Sequence, residues 1–258
     1  MSSWILLRGL MREARHWGDF PQTLASGLGG ATVVPLDLPG NGSLHALRSP
    51  TQIAGMTEHC RAQLQQRGIA LPYNLLALSL GAMVAGDWAT RYPAEIERAV
   101  LINTSMRPFS PFYHRLRPRN YLTLLRTATN PAVREQTILH LTSNRPPPSG
   151  LLDQWQHYGK QNPVSPANVW RQLLAALRYR ASPQAPDAAL LILCGSADRL
   201  VNPRCSAMLA QQWQASLQRH PHAGHDLTLD AADWVVQQVH LWLNGDMQTI
   251  TNDLPEKK

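Results

Sequence analysis

Short, continuous apolar runs that alternate with helical stretches are the feature that most limits how this chain can fold. Such runs are typical of strands buried on both faces. Their alternation with helices predicts the α/β class, with a mostly parallel central sheet and helices on both faces. Ligands bind beyond the carboxyl ends of such strands, so we expect the functional residues where the runs end. The five runs span residues 4–7, 31–36, 73–78, 99–102 and 188–193.

Helices are predicted between these runs. One spans residues 16–28, and a second continues from Gly81 to Tyr92. A last strand is predicted just before His220, and an amphipathic helix through Trp234 and Val239 follows it.

Residues 106–187 interrupt this rhythm, because they contain many prolines and no run that predicts a core strand. Two helix starts are marked by a capping residue directly before a proline, at Asn130 and at Ser165. The helix after Ser165 places four apolar residues on one face: Val169, Leu173, Ala176 and Leu177. We therefore predict that 106–187 is a helical cap inserted into a core of 1–105 and 188–248, followed by a polar tail at 249–258.

The positive charge of the chain belongs to this cap segment. Residues 106–187 contain 11 basic and 3 acidic residues, whereas the rest of the chain contains 13 and 14. A net charge of +7 suggests a nucleic-acid binder, but the basic residues are scattered and accompany no nucleic-acid-binding motif. A solvated face, or a surface that attracts anionic substrates, explains them better, and we expect no nucleic-acid partner.

The composition excludes several other classes of protein. With 258 residues, 44% of them hydrophobic, the chain can bury a sizeable core. No apolar run approaches the roughly 20 residues of a membrane helix, and the apolar start is too short for a signal peptide, so we expect no membrane partner. Cys60, Cys194 and Cys205 form no CxxC pair, which predicts neither disulfides nor zinc and favours a cytoplasmic location.

Ser79 lies between an apolar run and a helical stretch, with the small residues Ala77 and Gly81 two positions to either side. This pattern matches a nucleophile elbow, a tight turn that holds a serine hydroxyl above the sheet. The Leu80 amide would then lie at a helix N-terminus, where its N–H can face an oxyanion. The alternative is that Ser79 only caps the helix.

A nucleophilic serine needs a base, and the base needs an acid to orient it. His225 follows the last predicted strand and is preceded by a glycine, and His222 is its nearest competitor. Asp198 follows the fifth run and is the predicted acid, although it could instead cap the next helix. Asp226 adjoins the histidine too closely in sequence to fold back onto it easily. Asn103 and Thr104 follow the preceding run but carry no charge.

Together these stretches resemble a small, capped serine esterase of the α/β-hydrolase superfamily, in which the triad follows the chain order Ser…Asp…His. The resemblance implies that the Leu10 amide is the second oxyanion donor beside Leu80, and that a cap follows the strand at 99–102. It also implies that the chain starts at the third of the eight strands of the full fold. The matching stretches are Leu6-Leu7-Arg8-Gly9-Leu10, Asp37-Leu38-Pro39-Gly40-Asn41-Gly42, Ala77-Leu78-Ser79-Leu80-Gly81, Gly195-Ser196-Ala197-Asp198 and Ala223-Gly224-His225.

The sequence departs from this pattern at two positions. Many relatives have histidine where this chain has Arg8, and glycine where it has Ala77. Arg8 could pair with Glu13 or intrude on the pocket, and the Ala77 methyl group could tilt the elbow. Both departures bear on the level of activity more than on its type.

The function predicted from these residues is hydrolysis of a carboxylic ester with a small or medium acyl group, through an acyl-enzyme on Ser79. This chemistry needs no metal and no organic cofactor, and its partner is a small-molecule ester. Thioester hydrolysis, C–C bond hydrolysis and lyase chemistry use similar triads and stay open, as does a non-catalytic receptor on the same fold. The sequence does not define the oligomeric state.

Overall fold

A computed structural model describes residues 2–127 and 131–246 of the chain. Its centre is a six-stranded sheet in which every neighbouring pair is parallel, in the order β2-β1-β3-β4-β5-β6. The predicted parallel sheet is therefore confirmed. The strands are β1 (Trp4–Leu7), β2 (Val33–Leu36), β3 (Tyr73–Leu78), β4 (Ile96–Ile102), β5 (Ala189–Gly195) and β6 (Ser216–His220).

Successive side chains along each strand enter opposite cores, which is why the strands are apolar throughout. Ile5 and Leu7 belong to one buried cluster, whereas Trp4 and Leu6 belong to the other. The first cluster is covered by α2 (Ile53–Gln66), α3 (Leu80–Arg91) and α9 (Arg204–Trp213). The second is covered by α1 (Phe20–Gly27), α10 (Leu227–Asp230) and α11 (Ala232–Leu243).

The strand order reverses at β1, which pairs with β2 on one side and with β3 on the other. Ligands of open α/β sheets bind beyond the carboxyl ends of strands at such a reversal. We therefore expect a ligand site at the loop after β1 and at the β3–α3 turn.

The predicted helix at 16–28 is divided in the structure. A single 3-10 turn spans Ala14–Trp17, and α1 begins only at Phe20. Gly18 lies between them at φ 55°, a left-handed conformation that ends one helical turn before the next begins.

Between β4 and β5 the described chain forms helices and no strand that joins the sheet. They are α4 (Phe112–Arg115), α5 (Tyr121–Thr127), α6 (Pro131–Thr142), α7 (Leu151–Gln161) and α8 (Pro166–Arg178). Ser165 caps α8 as predicted, because its hydroxyl accepts a hydrogen bond from Asn168 N at 3.2 Å. The predicted cap residue Asn130 and the predicted tail at 249–258 lie outside the described residues.

Helix α8 buries the apolar face that its sequence suggests only in part, since Val169, Leu173 and Ala176 are half-buried and Leu177 is exposed. Asn168, Gln172 and Ala175 face inward, whereas Trp170 and Leu177 are exposed. The cause is a set of hydrogen bonds that join the side chains of Asn168 and Gln172 to the loops after β1 and β2. Within the described ranges, no helix has both the length and the apolar composition needed to cross a bilayer.

Candidate active site

The predicted acid and base meet at the carboxyl ends of the strands. Asp198 follows β5 and His225 follows β6, and His225 Nδ1 donates to Asp198 Oδ2 at 2.7 Å. The other oxygen of Asp198 accepts from the backbone amides of Leu200 and Val201 at 2.7 and 2.9 Å. Both side chains are buried, so the carboxylate and the imidazole hold one fixed orientation.

Ser79 follows β3 in a strained turn with φ 57° and ψ −113°. Positive φ is uncommon for a residue with a Cβ, and such strain persists only where neighbours hold the backbone. Here Ser79 N donates to Ile102 O at 2.9 Å, and Thr104 Oγ1 donates to Ser79 O at 3.0 Å. Ser79 precedes α3, but its hydroxyl makes no capping hydrogen bond, so helix capping does not account for it.

The hydroxyl of Ser79 and the ring of His225 form no hydrogen bond with each other in the part of the chain that the structure describes. Both residues nevertheless lie in one loop cluster, which is formed by the turns that follow β3, β4, β5 and β6. Asn103, which follows β4 beside the Ser79 turn, donates from Nδ2 to His225 O at 2.7 Å. Catalytic hydrogen bonds are often long before substrate binds.

The serine turn packs closely against the end of β1 and the loop that follows it. A Cβ on Gly81 would overlap the carbonyl oxygen of Leu7 and lie 2.6 Å from that of Arg8, so the end of β1 lies directly against the start of α3. A Cβ on Gly9 would lie 3.2 Å from Ser79 Cβ. The alanine at position 77 is fully buried in the core, where its methyl group is accommodated.

The two predicted oxyanion donors lie in these neighbouring turns. Leu80 is the first residue of α3, and its amide has no partner within the helix. Leu10 lies in a turn closed by a hydrogen bond from Arg12 N to Gly9 O at 3.2 Å. Neither the Leu10 amide nor the Leu80 amide donates a hydrogen bond to any residue that the structure describes.

Arg8 does not pair with Glu13. It is buried, and its two terminal nitrogens donate to the two carboxylate oxygens of Asp226 at 3.2 and 2.5 Å. Its guanidinium also lies 4.6 Å from the ring centre of Trp17. Glu13 instead pairs with Arg15.

This ion pair explains why Asp226 does not compete with Asp198 for the histidine. Burial by itself would raise the pKa of the Asp226 carboxyl. The charge and hydrogen bonds of Arg8, with a hydrogen bond from Thr228, outweigh the burial and hold that pKa below its ordinary value. Asp226 is therefore an anion already neutralised by Arg8.

The structure also separates the two candidate histidines. His222 is exposed, and its backbone oxygen accepts from Asn144 Nδ2 at 3.1 Å, whereas His225 is buried against Asp198. A third histidine shapes the loop, because His220 Nδ1 accepts from Ala223 N at 2.9 Å.

Two positioning residues were not predicted from the sequence. Asn103, at φ 45°, donates to the carbonyls of Gly224 and His225 and accepts from Gly195 N at 2.9 Å. Asp230 accepts from Gly224 N at 2.6 Å and is itself buried. An asparagine directly after a buried strand was the available signal for the first, since asparagine tolerates positive φ.

The loop after Asp198 is hydrogen-bonded to the inserted helical segment at several points. Arg117 N donates to Leu200 O at 3.0 Å, and Asn202 N donates to His114 O at 2.9 Å. Asn120 Nδ2 donates to Arg199 O at 2.8 Å. The histidine loop is held similarly, since Asp226 N donates to Thr142 O at 2.7 Å. Both loops therefore rest on residues of 106–187.

The sheet is parallel, the serine lies on a strained strand-to-helix turn, and the Asp–His pair lies beyond two later strands. This arrangement is typical of α/β hydrolases. The chain belongs to the Alpha/beta hydrolase family, whose sequence pattern matches residues 4–238. The resemblance and the fold predicted from the sequence are thereby confirmed, and membership of this family supports hydrolase activity.

Solved structures share the fold at low sequence identity. A 2-hydroxy-6-oxo-6-phenylhexa-2,4-dienoate hydrolase from a Rhodococcus species is 18% identical, with a TM-score of 0.76 over 93% of this chain and 90% of that one. A thermophilic esterase from Thermogutta terrifontis is 19% identical, with a TM-score of 0.71 over 96% and 91%. An enol-lactonase from Burkholderia xenovorans is 19% identical, with a TM-score of 0.74 over 95% and 92%. No curated protein sequence matches the chain.

Proposed function

We propose that the protein is a serine hydrolase that cleaves a carboxylic ester with a small or medium acyl group. The observation that carries this proposal is the buried His225–Asp198 hydrogen bond, in the same loop cluster as a serine held at positive φ. Ser79 is the nucleophile, His225 the general base and then acid, and Asp198 the group that fixes the imidazole tautomer.

The reaction follows from these positions. Asp198 holds the proton on His225 Nδ1, which leaves Nε2 to take the proton of the Ser79 hydroxyl as its oxygen attacks the ester carbonyl. The negative charge that develops on the carbonyl oxygen is stabilised by the Leu10 and Leu80 amides. His225 then protonates the leaving alcohol, and a water molecule activated by the same histidine releases the acid from Ser79.

The inserted segment 106–187 serves in this proposal as the cap above the site. Its hydrogen bonds to the loops of Asp198 and His225 support that position. The three free cysteines are all buried, which fits a reducing compartment such as the cytoplasm.

Covalent labelling with an organophosphonate tests the nucleophile. We expect mass spectrometry to place the adduct on Ser79, and the Ser79→Ala variant to remain unlabelled. His225→Ala should slow labelling sharply, whereas the matched variant His222→Ala, at an exposed position, should label at nearly the wild-type rate. An adduct on another serine, or equal effects of the two histidine substitutions, would contradict the assignment.

The ester substrate is tested with a chain-length panel of activated esters and matched thioesters. We expect turnover to fall for long acyl groups and to require Ser79 throughout. Labelling of Ser79 without turnover of any ester or thioester would retain the nucleophile and refute the proposed reaction.

A further inference from the structure

Exposed apolar side chains are concentrated on the inserted segment. Ten large apolar side chains in the described residues are strongly exposed, and seven of them lie within 106–187. That segment is about a third of the chain, so the concentration is local. The seven are Phe112, Tyr113, Tyr121, Leu122, Val133, Trp170 and Leu177.

Helix α8 contributes to this exposure because its polar side faces the protein. Asn168 and Gln172, one turn apart, are 5% and 0% exposed. Successive helical residues are about 100° apart, which places Trp170 and Leu177 on the opposite side. These two side chains are 66% and 57% exposed.

Hydrogen bonds hold α8 in the orientation that exposes Trp170 and Leu177. Asn168 accepts from Ser49 N at 2.9 Å and donates to Leu47 O at 2.9 Å. Gln172 accepts from Met11 N at 3.0 Å and donates to Asn41 Oδ1 at 2.7 Å. Turning the helix would leave these buried polar groups unpaired, which is unfavourable. The outward apolar face is therefore a fixed feature of the fold.

Helix α4 adds two exposed aromatic side chains near the end of α8. Arg115 Nη2 donates to Ala176 O at 2.6 Å, and Arg107 Nη1 donates to Leu177 O at 3.2 Å, so α4 lies beside the last turn of α8. Phe112 and Tyr113 on α4 are 68% and 49% exposed. We call Trp170, Leu177, Phe112 and Tyr113 the outer face.

The charge around the outer face favours an anionic partner. Arg107, Arg178 and Arg180 are exposed beside it, and residues 106–187 contain 11 basic against 3 acidic residues. A second copy of the chain would bring two strongly positive segments together. An anionic surface would instead be attracted to the arginines while it receives the aromatic and leucine side chains.

We propose that the outer face binds the surface of bilayers that contain anionic lipids, with Trp170, Leu177 and Phe112 entering the headgroup region. This goes beyond the proposed hydrolysis, and it differs from the sequence-based expectation of no membrane partner, which considered only spanning segments and signal peptides. A peripheral face needs neither.

Vesicle flotation of the Ser79→Ala protein tests the proposal independently of any hydrolysis. We expect it to float with vesicles of phosphatidylcholine and phosphatidylserine, to float poorly with phosphatidylcholine alone, and to dissociate as salt is raised. Adding Trp170→Ser and Leu177→Ser should weaken binding roughly tenfold or more, because two apolar side chains no longer enter the bilayer. Leu71→Ser is the matched control, since Leu71 is 55% exposed outside this segment.

Four results would overturn the proposal. The first is no flotation of the folded protein with anionic vesicles. The second is unchanged binding after the Trp170 and Leu177 substitutions, and the third is an equal loss in the Leu71 control. The fourth, from sedimentation analysis, is a dimer that these two substitutions dissociate, because the outer face would then bind a second copy. None of these results bears on covalent labelling of Ser79.

Discussion

Replacing Arg8 with methionine tests the buried ion pair beside the histidine loop. Arg8 and Asp226 have side chains only 3% and 4% exposed, and their closest atoms are 2.5 Å apart. The substitution leaves the Asp226 carboxylate buried without its cation. Removing one partner of a buried pair costs about 3–5 kcal/mol. We expect a loss of about that size in the free energy of unfolding, measured by urea denaturation at neutral pH.

The double variant Arg8→Met/Asp226→Asn separates the charge from the packing. The asparagine keeps an oxygen that can accept from Thr228 and from the helix N-terminus at Leu229, as Asp226 does. Because no uncompensated buried charge remains, we expect the double variant to be more stable than Arg8→Met alone. The reasoning would be refuted if the loss in the double variant equalled the sum of the losses in Arg8→Met and Asp226→Asn to within about 0.5 kcal/mol, since independent sites behave in that way.

The same pair makes a prediction about pH. The folded-state pKa of Asp226 lies below its ordinary value, so the contribution of the ionised carboxylate is fully present above the unfolded value of about 3.9. It is lost as pH falls through the folded pKa. The stability difference between wild type and Asp226→Asn should therefore shrink below about pH 4. A difference that stayed constant across this range would show that ionisation of Asp226 does not contribute.

Four further substitutions test the site and its surroundings. Gly81→Ala should lower the free energy of unfolding by about 1–3 kcal/mol or more and abolish turnover, because the added Cβ meets backbone atoms. Gly159→Ala is the matched control: Gly159 has open space around it, so this change should stabilise the protein by up to about 1 kcal/mol. Melting curves compare the two variants. Asp198→Asn should lower kcat by up to ~10⁴ with a much smaller change in Tm, measured on an activated ester. Gln172→Leu removes the partner of Met11 N beside the predicted oxyanion turn, so it should lower kcat more than it changes KM; a change in KM alone would place Gln172 in substrate binding.

The strands and the serine turn could be predicted because their signals are local. An apolar run followed by Ser79, Leu80 and Gly81 needs no knowledge of distant residues, and the structure places β3 and α3 where that pattern predicts. The order of Asp198 and His225 was similarly visible from the ends of successive runs. The pairing of Arg8 was not, because its partner Asp226 is 218 positions away.

Helix α8 shows what periodicity alone leaves open for a segment outside the central sheet. The spacing of apolar residues predicts which side chains share a face, but it does not say which face is buried. Asn168 and Gln172 find partners in loops more than a hundred positions earlier, and those hydrogen bonds decide the orientation. The outcome depends on loop geometry, which the sequence does not encode within any short window.

The hydrogen bonds between the loop after Asp198 and residues His114, Arg117 and Asn120 bear on how such an enzyme could diversify. Inserted helical segments are attractive modules for recombination, because exchanging one could change the substrate without altering the sheet. Here an exchange of 106–187 would also remove the partners that hold the loop of Asp198, the proposed acid. A functional chimera would therefore need a graft that carries the stretch 198–202 together with the insert. In this protein the unit available for exchange is larger than the insertion itself.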